Sequence, residues 1–214
     1  MVFAGSVATI MIEVYKVEAV LFTGVAGGLK AGQAVGDLVL GADVVNYEFD
    51  CQAFVLPFDA DYKYQLGKLL TALSSSHQAG VITSFSIMTS GELPFLKWRF
   101  YDADAKMLSL AKEAPVPQGV TMVPGRIASG SIFVTTEKKK EMEESVWKPL
   151  GYPDAVEMEN AGVAQICKGY GVPYLSVRAL SDLIEGDAND DFNAFCAQAA
   201  DNVFPIIEHV VKNL

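Results

Sequence analysis

The chain has 214 residues, 51% of them hydrophobic, which is enough for one sizeable domain with a real core. Its formal net charge of −10 argues against nucleic acid or an anionic membrane as partner, and the one basic block, Lys138-Lys139-Lys140, is followed by acids and reads as a solvated helix face. The three cysteines (Cys51, Cys167, Cys196) are odd in number and widely spaced, which suits reduced thiols in the cytoplasm, and neither His77 nor His209 pairs with them at metal-ligand spacing. No metal and no cofactor is expected, so acid–base chemistry near neutral pH falls mostly to carboxylates.

In chain order, "MVFAGSVATIMIE" carries Val2, Val7, Ile10, Met11 and Val14 at helical spacing. It lacks a positive leading region, so a helix is expected here rather than a cleaved signal, and no run in the chain is long enough to span a bilayer. "VEAVLFTG" (Val17–Gly24) reads as a buried strand, "GVAGGLKAG" as a glycine-rich loop after it, and "DLVLGADVV" (Asp37–Val45) as a second strand. Residues 55–97 mix a helical pattern, "ADYKYQLGKLLTALSSS", with an extended one, "GVITSFSIMTSG", and are expected to elaborate a sheet edge or an oligomer surface. "GVTMV" and "GRIASG" predict a strand pair or one long bent strand, and "TTEKKKEMEESVWKPLG" a helix capped by Thr135 or Thr136. Strand "DAVEM", helix "NAGVAQICKGYG" and strand "PYLSVRAL" follow. A last helix from about Asn189 carries Phe192, Phe195, Cys196, Ala199 and Val203 on one stripe, with a kink at Pro205. Alternating strands and helices predict an α/β fold: a central mixed sheet flanked by helices, with no internal repeat.

Three segments lie where strands end, the place where open α/β sheets build their sites. "FTGVAGGL" reads as a tight glycine turn whose amides could cradle an anion or admit a sugar. "AVEMENAG" sets Glu157 and Glu159 at a strand-to-helix junction, on one face if the backbone stays extended; capping of the helix by Glu159 is the plainer alternative. "VRALSDLIEGD" puts Ser181-Asp182 after an apolar strand, where a turn or helix cap is again the plainer reading.

Together these segments resemble the nucleoside phosphorylase/nucleosidase superfamily, and within it the methylthioadenosine/S-adenosylhomocysteine nucleosidases. The likeness rests on the "TGxAGG" segment, on Ser129-Gly130-Ser131-Ile132-Phe133, on "VEMExxxxAxxC", and on Arg178 to Asp182 as "R-A-x-S-D". It implies a single three-layer α/β/α domain over residues 1–214, with about 55–97 a divergent insertion. It also implies hydrolysis of the N-glycosidic bond with release of adenine. Asp182 would be the general acid at N7 of the leaving base, oriented by Ser181. Glu159 and the Met158 backbone would hold the ribose hydroxyls, with Glu159 buried against the sugar. Phe133 would stack on the purine and the Val134 backbone would read its edge. Ala26 and Gly27 would lie beside the ribose, and Phe54 would line the 5′-alkylthio pocket. The partners implied are a purine nucleoside and a second copy of the chain, as a homodimer. Where the family usually carries a serine or a similar polar residue, this chain has Val25. The family's water-activating glutamate lies on a strand expected ahead of Val2; within the chain Glu13, Glu18 and Glu48 are the remaining candidates. A nucleoside phosphorylase using phosphate at "GVAGG", and a non-catalytic nucleoside-binding or storage protein, are the alternatives.

Overall fold

The computed structural model describes residues 1–50, 97–184 and 192–214. Helix α1 (Val2–Glu13) leads into strand β1 (Val20–Gly28) and the long β2 (Leu38–Asp50). Then follow β3 (Lys97–Asp102), α2 (Ala105–Glu113), β4 (Met122–Ser129), α3 (Thr136–Glu141) and a π-helical turn at Glu143–Trp147. The chain closes with β5 (Ala155–Glu157), α4 (Asn160–Tyr170), β6 (Tyr174–Asp182) and α5 (Phe192–Asn213). The expected mixed α/β architecture with a central mixed sheet is what the chain adopts.

Strands pair in the order β3-β2-β4-β5-β1-β6, and β2 also pairs with β6. The second pairing closes five strands into a ring, with β3 outside it. Pairing is parallel for β1/β6, β2/β4 and β4/β5, and antiparallel for β1/β5, β2/β3 and β2/β6. Strand β6 is buried along nearly its whole length, which is why "YLSVRAL" reads as a continuous apolar run.

Two of the apolar clusters join helices to the ring. One packs Ala8 and Ile12 of α1 and Ala161, Val163, Ala164 and Cys167 of α4 on β1, β2 and β4. The other packs Met107 and Ala111 of α2 and Phe195, Ala199, Val203, Ile206 and Val210 of α5 on β2 and β6. Phe195, Ala199 and Val203 of the expected α5 stripe are therefore in the core, the side chains of Phe192 and Cys196 lie outside the described ones, and the stripe runs on past Pro205, which lies inside the helix. A third cluster, with Val134, Trp147, Val156 and Ile184, sits at the end of the ring where β1, β5 and β6 finish.

Two elements differ from expectation. The glycine-rich "GVAGG" is not a turn: β1 continues through Gly28, paired with β6 up to Gly27↔Asp182 and with β5 at Gly27↔Val156 and Gly28↔Ala155. Glycine signals turns on average, but strands on both sides keep this backbone extended, with a register shift between Ala26 and Gly27. The stretch after Thr135 is not one helix either. Thr135 caps α3, accepting from Lys138 N, and the chain then widens into the π turn. That widening turns Trp147 inward, where its indole N–H donates to the Lys139 carbonyl at 2.9 Å and its ring meets Tyr47 edge-on. Of the two readings of "GVTMV…GRIASG", the single strand is the one adopted, as β4.

Candidate active site

The ends of β1, β5 and β6 meet the segment after β4 around a cavity of about 420 Å³. Its wall is Val25, Ala26 and Gly27 from β1, Ile132 to Val134 after β4, Val156 to Glu159 at the β5–α4 junction, and Ser181, Asp182 and Ile184 at the end of β6. Of the residues that the sequence singled out, Ala26, Gly27, Phe133, Val134, Met158, Glu159, Ser181 and Asp182 all border this one space. Phe54 lies outside the described residues.

Asp182 is held by both oxygens. Oδ2 accepts from the Ser181 hydroxyl at 3.0 Å, and Oδ1 accepts from the Ile184 amide at 3.0 Å. The Ser181 hydroxyl has a second acceptor, the Ala26 carbonyl, at 3.3 Å. Ile184 reaches Asp182 through a left-handed backbone (φ +55°), an uncommon state for a β-branched residue, and its own carbonyl is anchored by Thr136 Oγ1 at 2.7 Å. Gly27 is required by this closeness: a Cβ there would stand 2.9 Å from Ile184 Cγ1 and 3.2 Å from Asp182 Oδ1.

Across the cavity, Glu157 anchors the strand-to-helix junction, as expected, but the burial expected of Glu159 is not found. Glu159 is exposed rather than buried. The buried carboxylate is Glu157, 6% exposed. Glu157 Oε2 accepts from the amides of Glu159 at 2.9 Å and Asn160 at 2.8 Å, and from Arg178 Nη2 at 3.0 Å. A carboxylate this deep is tolerable because a guanidinium neutralises it and three donors surround it. Arg178 in turn stacks on the Phe22 ring, its Cζ 4.5 Å from the centroid, and fills the space that Gly24 leaves empty. The capping alternative for Glu159 is thereby overturned: as the N-cap of α4 it makes no side-chain cap bond. Glu157 and Ser129, whose Oγ accepts from Ala161 N at 3.0 Å, satisfy those amides instead.

Phe133 is 65% exposed with its ring uncovered, while the neighbouring Val134 is buried. None of Glu13, Glu18 or Glu48 lines the cavity; Glu13 is paired with Lys16 at 3.5 Å, and Glu48 accepts from Ser131 N at 2.6 Å. Among the described residues no group of His, Cys, Asp and Glu gathers at metal-binding spacing.

Sequence reading missed Ile184 altogether, because nothing in "DLIEGD" marks an amide that will turn back onto the aspartate. The Glu157–Arg178 pair did leave a signal. An arginine in the middle of the apolar strand "YLSVRAL" demands a buried acid, and "AVEM" is an apolar strand that carries one.

This arrangement, a mixed sheet whose strand ends gather an aspartate and a glutamate around an apolar cavity, matches a known family over nearly the whole chain. The sequence fits the phosphorylase superfamily over residues 1–212, and the chain belongs to it. It is similar to the 5′-methylthioadenosine/S-adenosylhomocysteine nucleosidase of Bacillus subtilis, with 30% identity over 207 residues that cover 96% of this chain and 74% of the relative. It is equally similar to the aminodeoxyfutalosine nucleosidase of Helicobacter pylori, with 30% identity over 96% of this chain and 73% of the relative. Among solved structures, the futalosine hydrolase of Helicobacter pylori superposes with a TM-score of 0.70 at 29% identity, covering 100% of this chain and 76% of that one. The Campylobacter jejuni 5′-methylthioadenosine/S-adenosyl homocysteine nucleosidase gives 0.71 at 27% identity, covering 100% and 77%.

Proposed function

We propose that the chain is a nucleosidase that hydrolyses the N-glycosidic bond of 5′-methylthioadenosine and S-adenosylhomocysteine and releases adenine. The observation that carries this reading is Asp182, fixed by Ser181 and Ile184 across one cavity from the unengaged Glu159 and the open face of Phe133.

Breaking the bond places positive charge on the sugar and negative charge on the departing base. Asp182 protonates the base, the Glu159 carboxylate, on the sugar hydroxyls, favours the cationic ring, and water adds to the anomeric carbon and gives up a proton to complete the hydrolysis. The hydrogen bonds favour Oδ2 as the working oxygen of Asp182. Oδ1 is committed to the Ile184 amide, so the transferable proton sits on Oδ2. While it does, the Ser181 hydroxyl turns to the Ala26 carbonyl; once the proton has left, it turns back to the new carboxylate. Phe133 offers its ring to the purine.

The nucleosidase reading predicts adenine release in phosphate-free buffer. Release that requires phosphate would make the chain a phosphorylase, and binding without release would make it a storage protein. Aminodeoxyfutalosine is the second substrate to assay, given the relative of equal similarity that is named for it.

The exposed apolar side chains of α1 and the turn after it, among them Val2, Phe3, Val7, Ile10 and Val14, support the homodimer. Sedimentation at micromolar concentration should give twice the chain mass, and a monomer there removes this reading. We place the reaction in the cytoplasm, supported by the free thiol of Cys167.

A further inference from the structure

Glu157 borders the cavity but spends one oxygen entirely on the protein. We propose that it is a positioning residue for the sugar side of the site: by taking the amides of Glu159 and Asn160, it caps α4 in place of Glu159 and leaves the Glu159 carboxylate free to bind hydroxyls. The inference rests on the nucleosidase reading above.

Three observations carry it. A carboxylate at a helix N-terminus is drawn towards the unpaired amides there, and Glu159 stands at that position. Those amides are already taken by Glu157 Oε2, at 2.9 and 2.8 Å, so the charge of Glu157 occupies the inside of the helix start and repels a second carboxylate from it. Glu157 itself is immobilised. Its side chain and that of Arg178 are each 3% exposed and 3.0 Å apart, and Phe22 and Gly24 hold Arg178 from behind. Arg178 lies on β6, the strand that ends in Asp182. One strand therefore carries the acid that serves the base and, through Glu157, the anchor of the group that serves the sugar.

Two substitutions separate positioning from mere structure. Glu157→Gln keeps an oxygen for the two amides, whereas Glu157→Met keeps the length and removes it. Both leave Arg178 without its counter-charge, so the loss of stability is common to the two and the difference between them isolates the acceptor. Glu157→Met should raise KM for 5′-methylthioadenosine at least ~10-fold with a smaller change in kcat, and leave inhibition by free adenine within about twofold. Glu157→Gln should recover most of that KM. In a Glu159→Gln background, Glu157→Met should add nothing, because it acts through Glu159. Equal effects of Gln and Met, a parallel loss of adenine binding, or additive losses would each overturn the proposal. If neither variant folds, the native chain decides the matter. Hydrogen exchange at the Glu159 and Asn160 amides should slow when a non-hydrolysable nucleoside analogue binds and not when adenine binds; equal slowing by both overturns it. Adenine release by the unmodified chain tests the nucleosidase reading by itself.

Discussion

Asp182 has both oxygens assigned within the protein, so replacing one of them has a definite consequence. Asp182→Asn keeps the shape and the Ile184 contact but removes the proton donor proposed above, and hydrolysis of 5′-methylthioadenosine should fall by at least ~10²-fold with little change in binding. Near-native turnover in that variant would refute the mechanism. Phe133 offers a bare ring, so Phe133→Ala should weaken free adenine and the nucleoside alike, by roughly 1–3 kcal/mol read from inhibition constants. A loss confined to the nucleoside would place the ring on the sugar instead. At this scale, residues that resemble a known pattern are legible in the sequence, and Ser181 and Asp182 stand out at the end of "VRALSD". The burial of the two glutamates is not. Glu157 and Glu159 are two apart and chemically alike, and what separates them is Arg178, on a strand some twenty residues further along.

Among the elements, β1 shows how far local signals reach. Its length was hidden because five residues, "GVAGG", include three glycines, a composition that marks a turn wherever no neighbouring strand holds the chain straight. Their small size serves contact with β6 rather than a bend. At Gly24 a Cβ would lie 1.9 Å from Arg178 Nη1, and the guanidinium cannot retreat without leaving Phe22 and Glu157. Gly24→Ala should therefore cost about 1–3 kcal/mol of stability by overpacking, measured as a lower urea midpoint. An unchanged midpoint would mean that Arg178 is less tightly held than its contacts imply. Helices α1 and α4, by contrast, are legible almost to their ends from apolar periodicity and the left-handed Gly171 after α4, whereas α2 is not read at all and the helix started by the Thr135 cap gives way to the π turn.

For the whole molecule, clusters that each join helices to one closed ring predict a single unfolding transition. Two separately melting units would contradict this. Cys167 reports on the same event. Burial pushes its thiol up to about 11, so it should resist alkylation at neutral pH until the chain unfolds globally. The sign for stability follows: the folded thiol binds its proton more tightly than the unfolded one, so this contribution is intact below about pH 8.5 and is lost as pH rises towards 11. Burial likewise pushes Tyr47 up to about 12, which extends the decline upward. A urea midpoint that rises across that alkaline range would refute both assignments.

The β2–β6 pairing has a consequence for the chain while it is being made. Leu38 meets Ala179 across positions roughly 140 residues apart, so β2 leaves the ribosome on the order of 10 s before the strand that closes its edge. Through that interval the nascent chain carries an unpaired strand end, open to any other extended polypeptide nearby. Both Asp182 and Arg178 arrive on the closing strand. The cavity can therefore acquire both side chains only at the moment the ring shuts, and a half-made chain has an unfinished cavity as well as an open edge.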